Sequence, residues 1–262
     1  MSNFFKNFPL SPYDFGDNNN NKNIIIDLFK HVKATINLDD SNSYTYYQIL
    51  DGSRPDQVSQ ELYDTPDYYW TFFMINNHLI NGMHSWPKGY TELQTYIELK
   101  YPYHTLTGYV NSGGTGEDHL FYTKSFVKGE TIQGSETGYT AKIIDIDLDM
   151  NSLTLGELSG NFNSTEEITG LTSGEVVSQG SSNYTFTLQN QNESAHHYES
   201  IDGVVVPRIT YSVDEIYPIP SLYKITNYNY EVGVNDSFMD IKVLKSHYIE
   251  DFSRTYKKLI NG

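Results

Sequence analysis

Three aspartates at alternate positions form the most regular cluster of potential metal ligands in the sequence: Asp145, Asp147 and Asp149. This spacing resembles the start of an EF-hand calcium loop, which needs Gly at its sixth position and Glu at its twelfth. Met150 and Gly156 occupy those positions, so the calcium loop is excluded. Alternate strand residues share one face, so we expect a solvated acidic face, with a loose cation site as the alternative. The side chains expected to point inward are Ile144, Ile146 and Leu148.

Motifs for catalysis are missing from the sequence. The adjacent pair His196 and His197 favours a surface or interface role, because sequential side chains rarely point at one ion and no His recurs at metal-ligand spacing. A serine-centred elbow, a P-loop and a dinucleotide fingerprint are all absent. Any two of the 33 acidic residues could meet in space, but no spacing nominates a pair. We therefore expect no enzyme, no cofactor and no bound metal.

Composition points to protein contacts. The 262 residues carry 17 Lys and Arg against 33 Asp and Glu, a net charge of −16 that argues against nucleic acid and anionic membranes as partners. Cysteine is absent, which excludes disulfides and thiolate metal sites. The 23 Tyr suit an interaction protein, although a β-rich fold that uses Tyr as a strand former explains them equally well.

No membrane span or signal sequence is predicted. The longest nearly apolar run, residues 68–75, is far shorter than the roughly 20 residues that a membrane helix needs. Residues 1–15 lack both the apolar stretch and the small-residue cleavage site of a secretory signal. We therefore expect a soluble protein.

The N-terminal half divides into an arm and a compact unit. Residues 1–23 predict an arm that only partners order, and residues 24–37 predict a helix with one apolar stripe. A strand over residues 44–50 is followed by two helices, one with Pro55 in its first turn and one from Pro66 to about residues 76–77. The second helix is apolar nearly all round and must be covered by its own domain or by a partner. The predicted stripe of the first helix is Ile25, Leu28, Phe29, Val32 and Ile36.

A separate β module is predicted over residues 121–187, where Gly, Thr and Ser alternate with apolar residues. It contains an internal repeat in which Phe, Glu, Ile and two glycines recur without a gap. We expect each copy to be a strand-and-turn arm of a small barrel, with the glycines in positive-φ turns. Residues 141–149 and 152–155 predict a hairpin between the copies. The two copies are Phe126, Glu130, Ile132, Gly134 and Gly138, and Phe162, Glu166, Ile168, Gly170 and Gly174.

The last part of the chain predicts strands and a closing helix. Residues 203–207 and 241–244 are strand candidates, and Ser246 suits the cap of a helix that ends at Asn261 and Gly262. The apolar stripe of this helix is Ile249, Phe252, Tyr256, Leu259 and Ile260.

Two blocks resemble the baseplate wedge protein 53 family of contractile-tailed phages. The first combines residues 51–63, 67–77 and 82–86, with its Arg-Pro, Leu-Tyr, Tyr-Trp and Asn-x-x-x-Trp order, and the second runs from Ile241 through Phe252. The resemblance implies an α+β protein: a LysM-like strand-helix-helix domain, an inserted antiparallel β-barrel-like module and a C-terminal helix. The implied division is an arm (1–23), a helix plus LysM-like domain (24–103), the insertion (104–190) and a return segment (191–262).

The implied function is a structural one. A member of this family would join adjacent wedges around the central hub, in six copies per baseplate, contacting other wedge subunits, the sheath-initiating subunit and hub or tube proteins. It would be made in the host cytoplasm and located in the virion. The residues that the resemblance places at contacts are Arg54, Pro55, Leu62, Tyr63, Tyr69, Trp70, Phe73, Asn77 and Trp86, with Ile249, Phe252 and Tyr256 on the C-terminal helix.

Two other functions stay open at this stage. LysM domains elsewhere hold N-acetylglucosamine polymers, and Tyr68, Tyr69 and Trp70 could stack on sugars. The chain would then be a peptidoglycan-binding module of a tail protein. A cell-wall hydrolase is the third and least supported possibility, because no catalytic residues are nominated.

Overall fold

The computed structural model describes residues 8–14, 22–27, 42–110, 126–150, 152–163, 166–177, 184–206 and 223–261. The protein is α+β and divides into two compact units. Unit 1 comprises residues 1–93 and 234–262, and unit 2 comprises residues 94–233. In the described part of the chain, no helix has the length and apolar character needed to cross a membrane.

The elements are numbered in chain order. The strands are β1 (Leu10–Tyr13), β2 (Asn23–Ile26), β3 (Tyr44–Gln48), β4 (His104–Val110), β5 (Thr131–Gly134), β6 (Thr140–Asp147), β7 (Ser152–Gly156), β8 (Ile168–Gly170), β9 (Val176–Val177), β10 (Tyr184–Asn190), β11 (Ala195–Glu199), β12 (Val205–Val206), β13 (Tyr223–Thr226) and β14 (Asp240–Leu244). The α-helices are α1 (Pro55–Tyr63), α2 (Trp70–Ile75), α3 (Tyr90–Lys100), α4 (Asn227–Asp236) and α5 (Ser246–Asn261).

Unit 1 is built on a two-stranded antiparallel sheet whose strands come from distant parts of the chain. β3 pairs with β14, and α1 and α2 follow β3 in sequence. Buried Asn76 joins α2 to β14: its Nδ2 donates to the carbonyls of Phe72 and Lys242, and its Oδ1 accepts from the Lys242 amide, all at 2.8 Å. The buried core between these elements consists of Ile49, Val58, Phe72, Leu79, Trp86, Ile241 and Val243.

Local signals set the starts of α1 and α2. Pro55 is the first residue of α1, where a missing N–H costs nothing, and the side chain of Gln57 accepts from the Arg54 amide at 2.9 Å. The Thr65 side chain accepts from the amide of Asp67, and a 3₁₀ turn over Pro66–Tyr68 leads into α2. The predicted second helix is thus a 3₁₀ turn followed by a short α-helix that ends at Ile75.

The predicted helix over residues 24–37 is wrong at its start. Residues 23–26 form β2, which pairs antiparallel with β1, so this part of the predicted arm is a hairpin within the chain. Three consecutive isoleucines explain the strand, because β-branched side chains favour extended backbone. Ile25 lies in β2. The other predicted stripe residues, Leu28, Phe29, Val32 and Ile36, lie outside the described residues.

Unit 2 contains a seven-stranded antiparallel sheet that curls into a half-barrel, with strand order β10-β4-β7-β6-β5-β8-β9. The predicted hairpin is present as β6 and β7. A register shift between Ile143 and Asp145 makes Ile143 the fully buried residue, whereas Ile144 and Ile146 are half-buried. Leu148 is exposed, so its predicted inward position is wrong. The core residues of this sheet are Leu106, Phe126, Ile132, Ala141, Ile143, Leu153, Leu155, Phe162, Ile168 and Phe186.

A second sheet and the larger parts of α3 and α4 complete unit 2. The sheet has the order β12-β11-β13. α3 and α4 were not predicted, because their apolar positions are sparse: in α3 only Leu93 and Ile97 are buried. Unit 2 begins before residue 104 and ends after residue 190.

Candidate interaction sites

An aromatic cluster joins α2 to the C-terminal helix. Trp70 is only 6% exposed, and its ring centroid lies 4.7 Å from that of Tyr256 and 5.8 Å from that of Phe252. Ile249 and Ile260 are buried beside this cluster, as the predicted stripe requires, whereas Leu259 is exposed. The apolar helix is therefore covered by α5 of its own chain.

Most of the other residues that the family resemblance placed at contacts are interior. Trp86 is buried and its Nε1 donates to the Ser53 carbonyl at 2.7 Å. The Tyr63 hydroxyl donates to the Leu244 carbonyl at 2.8 Å, and burial raises the Tyr63 pKa. Pro55 is buried, and Leu62, Tyr63, Tyr69 and Phe73 are half-buried.

Arg54 and Asn77 are the two residues of that set that are exposed. The Arg54 guanidinium is paired with the Asp56 carboxylate through contacts of 3.1 and 2.8 Å. The other residues of the set are buried or half-buried and belong to the scaffold of unit 1. Other exposed residues of unit 1 are also available for contact with a partner.

One such surface is the segment of residues 76–87, which we call the apolar loop. Leu79 and Trp86 are buried and fix it to the core. Between these anchors Ile80 is 81% exposed and Met83 is 62% exposed. The loop contains no Asp, Glu, Lys or Arg in a chain of net charge −16. The exposed residues of the loop are Ile80 and Met83 together with the polar Asn77, His78, Asn81 and His84. An anchored surface of this kind, with two large apolar side chains and no Asp, Glu, Lys or Arg, suits a protein interface. The missing charge was visible in the sequence, but the exposure of Ile80 was not.

The structure disfavours sugar stacking at the predicted residues. A sugar ring stacks on an open aromatic face, but Trp70 is buried under Phe252 and Tyr256. Tyr68 and Tyr69 are half-buried and pack against the same cluster. This aromatic group serves the core of unit 1.

The internal repeat of unit 2 forms a reciprocal carboxylate site. The Glu166 carboxylate accepts from the amides of Glu136 and Thr137, at 3.0 and 2.9 Å, and from the Thr137 hydroxyl. These donors belong to the turn of the first copy. Glu130 does the same in the second copy, accepting from the Thr172 amide and from the amide and hydroxyl of Ser173. Each copy therefore supplies the carboxylate that holds the turn of the other.

The glycines of the repeat have two separate purposes. Gly138 and Gly174 have φ of +67° and +73°, which confirms their prediction as left-handed turn residues. Gly134 and Gly170 instead leave room for the carboxylates, because a Cβ there would lie 2.4 Å from Glu166 Oε2 and 2.7 Å from Glu130 Oε2, respectively. The repeat thus stabilises the fold of unit 2: each glutamate needs the space left by a glycine and the hydrogen bond from a hydroxyl of the other copy.

The two carboxylates make unit 2 sensitive to acid. Burial alone would raise the pKa of Glu130 and Glu166, but hydrogen bonds from backbone amides and hydroxyls outweigh burial and lower both pKa values. The unfolded chain, with a Glu pKa of about 4.3, therefore takes up protons first as pH falls. The stabilisation is complete above about pH 4.3 and is lost as the pH falls through the lower folded pKa values.

We expect the urea midpoint of the β module to fall steeply below about pH 4.3. Pulsed hydrogen exchange at one fixed labelling pH, read by mass spectrometry on peptides from residues 126–177, measures the midpoint of this module alone. Glu166→Gln should reduce the acid-dependent fall. An unchanged pH profile in that variant would contradict the assignment.

A charged cluster lies between α3 and α4 in unit 2. Buried Glu231 accepts from Lys100 Nζ at 2.7 Å and from the Tyr101 hydroxyl at 2.8 Å. Burial, together with the Glu231 carboxylate, raises the pKa of Tyr101 to about 12. Burial lowers the pKa of Lys100, but its bonds to Glu231 and Tyr96 outweigh this and raise it. Lys100 is thus held as a cation and Tyr101 as a neutral phenol, so neither is prepared for nucleophilic or base chemistry.

Two of the three aspartates that were weighed as a loose cation site have ordinary hydrogen-bond partners. Asp145 pairs with Lys128 at 2.7 Å, and Asp147 accepts from the Met150 amide at 2.9 Å. Asp145, Asp147 and Asp149 are all exposed, as the predicted solvated face requires. Over the described ranges, no group of three or more His, Cys, Asp or Glu could hold a metal ion.

Two comparisons with known proteins assign no family to this chain. No protein-family model matches this chain. A search of curated proteins gave no significant match. The function is therefore argued from the sequence resemblance and from the contacts described above.

Proposed function

We propose that this chain is a structural subunit of a contractile phage tail baseplate, which joins adjacent wedges around the central hub during tail assembly. In this role it has no catalytic activity and needs no cofactor. Its partners are other wedge subunits, the sheath-initiating subunit and hub or tube proteins, with six copies per baseplate. Its location is the virion, after synthesis in the host cytoplasm.

The observation that carries the proposal is that both family-like blocks belong to one unit. The first block supplies α1, α2 and the apolar loop, and the second supplies β14 and the start of α5. Asn76 and Trp70 join the blocks through hydrogen bonds to Lys242 and ring contacts to Phe252. The order strand, helix, helix in β3, α1 and α2 supports the LysM-like unit that the resemblance implies. Two distant segments that form one body favour a shared function for them.

The surface of unit 1 supports contact with other proteins. The apolar loop presents Ile80 and Met83 and contains no Asp, Glu, Lys or Arg whose charge would have to be desolvated on burial. We assign this loop to the contact between neighbouring wedges. In unit 2 the pKa values of Lys100 and Tyr101 are raised away from the range useful for catalysis, which fits a structural role.

The proposal is tested by the double variant Ile80→Asp with Met83→Asp in wedge reconstitution. Both side chains are exposed, so folding should be unchanged, whereas burying two carboxylates in an apolar contact should weaken association by about 30-fold or more. Ring formation is followed by electron microscopy, and affinity by sedimentation of wedge pairs. The tryptophan fluorescence of unit 1 checks the fold.

Leu99→Asp is the matched control, because Leu99 is an exposed apolar residue on α3 outside the apolar loop. Rings should form normally with this variant. Normal rings with the double variant would overturn the contact assigned to the loop. Failure of the unaltered protein to bind any wedge component would overturn the proposed function itself.

A further inference from the structure

The two adjacent histidines of β11 are joined directly to each other. The Nδ1 atoms of His196 and His197 lie 2.7 Å apart, and His197 Nε2 lies 2.9 Å from a carboxylate oxygen of Glu199. A carboxylate only accepts, so His197 Nε2 carries a proton. In neutral His197 the Nδ1 atom is then the acceptor, and His196 Nδ1–H is the donor. The contact requires that one of the two Nδ1 atoms has no proton.

This pair connects β11 to α4. The His196 ring lies flat on the ring of Tyr230, with centroids 3.8 Å apart and planes 8° from parallel. A second and separate attachment lies at the start of both elements, where the Asn227 amide donates to the Ser194 carbonyl at 3.0 Å and Asn227 Nδ2 donates to Ser194 Oγ at 3.0 Å. In the described residues, β11 is thus attached to α4 by the imidazole contact and by Asn227, while its backbone pairs with β13, the strand that leads into α4.

Among the described residues, the charged and titratable groups that act on His196 come from α3, α4 and β11 itself. From α4, Glu231 favours its protonation, and from α3, Lys100 opposes it. On β11 itself, His197 opposes it and Glu199 holds His197. β13 places Lys224 opposite Tyr198, whereas β12 pairs with β11 through Val205 and Val206.

We propose that the His196–His197 pair is a proton-sensitive lock between β11 and α4, which opens when both imidazoles are protonated. One proton added to the neutral pair can still be shared across the Nδ1 contact. Two protons place N–H groups of two cations against each other at 2.7 Å, and no acceptor remains. His196 then leaves His197 and Tyr230, while the Asn227 attachment stays and acts as a hinge at Ser194.

The direction of the pH response follows from the surroundings of His196. Burial, and then the His197 charge, lower the pKa of His196. The unfolded value is about 6.5, so the lock contributes fully above about pH 6.5 and is lost as the pH falls through the lower folded pKa. Opening should therefore increase up to about tenfold per pH unit for each linked proton.

Hydrogen exchange of the whole chain, followed by mass spectrometry between about pH 7.5 and 5 and corrected for intrinsic rates, tests the lock. Peptides covering residues 195–200 should lose protection in acid. His196→Phe keeps a ring on Tyr230 but cannot be protonated, so its exchange should be independent of pH. His247→Phe, which alters another histidine that lies against a tyrosine ring, should respond to pH as the unaltered protein does. Equal pH responses in the unaltered protein and His196→Phe would overturn the proposal, as would constant protection in the unaltered protein.

A second measurement does not depend on a variant. Imidazole ¹⁵N spectra of the unaltered protein at about pH 7.5 should show His197 protonated at Nε2 and bare at Nδ1, and His196 protonated at Nδ1. A bare Nε2 on His197 would contradict the lock.

Discussion

Glu166→Ala should destabilise the β module by about 3–5 kcal/mol. The Glu166 side chain is 1% exposed and accepts from three backbone amides, those of Glu136, Thr137 and Asn163, and from the Thr137 hydroxyl. Alanine leaves these donors facing a small cavity with no acceptor. Because the Glu136 and Thr137 donors are in the turn of the first copy, the damage should also appear in a copy that does not contain the substitution.

The measurement must therefore report the stability of the first copy and of the second copy separately. Pulsed hydrogen exchange during urea unfolding should show lower midpoints in peptides from both copies, residues 126–147 and 162–177. The neighbouring Glu167→Ala is the control, since Glu167 is exposed and its loss should change the free energy of unfolding by less than about 0.5 kcal/mol. A loss of protection confined to the second copy would show that the copies do not depend on each other.

Trp70→Ala should destabilise unit 1 by about 3–5 kcal/mol, the usual range for removing a buried Trp side chain. The substitution removes the ring that lies against both Phe252 and Tyr256, so α5 loses its main aromatic support. Both tryptophans of the chain are in unit 1, and Trp86 remains as a fluorescent probe in the variant. Fluorescence-monitored urea unfolding gives the change in stability, and limited proteolysis of residues 246–261 reports whether α5 has become accessible.

The matched control is Tyr90→Ala, which removes an exposed aromatic side chain of the same unit. Its stability should differ from that of the unaltered protein by less than about 0.5 kcal/mol. Equal proteolysis of α5 in Trp70→Ala and Tyr90→Ala would contradict the role assigned to Trp70.

Elements with a strong local signal were predicted correctly from the sequence. Pro55 marked the start of α1, and the spacing of Ile249, Phe252, Tyr256 and Ile260 marked the buried face of α5. The helices α3 and α4 were missed because their stability depends on tertiary contacts such as the Lys100–Glu231 pair, which leave no periodic apolar pattern. The run of isoleucines in β2 fits a helical stripe and a strand equally well by spacing, and pairing with β1 decides between them.

The candidate sites were predicted less well, for a physical reason. The repeat was visible, but the sequence contains no sign that Glu130 and Glu166 exchange partners between copies, because donors and acceptor are far apart in the chain. Trp70 and Trp86 were expected at contacts and are buried, since an aromatic motif looks the same whether a partner or the chain itself covers it. The exposure of Ile80 depends on the anchors Leu79 and Trp86 and could not be derived from its type.

Unit 1 is formed by two segments that are far apart in the chain, so it cannot fold until both have been synthesised. Translation delivers about 5–20 residues per second, so all of residues 94–233 leave the ribosome before β14 and α5 do. β3, α1 and α2 must wait with the apolar side chains of Phe72 and Trp70 uncovered until their strand partner and their covering helix arrive. A nascent chain released before residue 240 can thus complete the β module but never unit 1. Such a product would have a folded β module and an N-terminal segment with exposed apolar side chains. It would be a substrate for chaperones and proteases, and it could not enter an assembly that recognises folded unit 1.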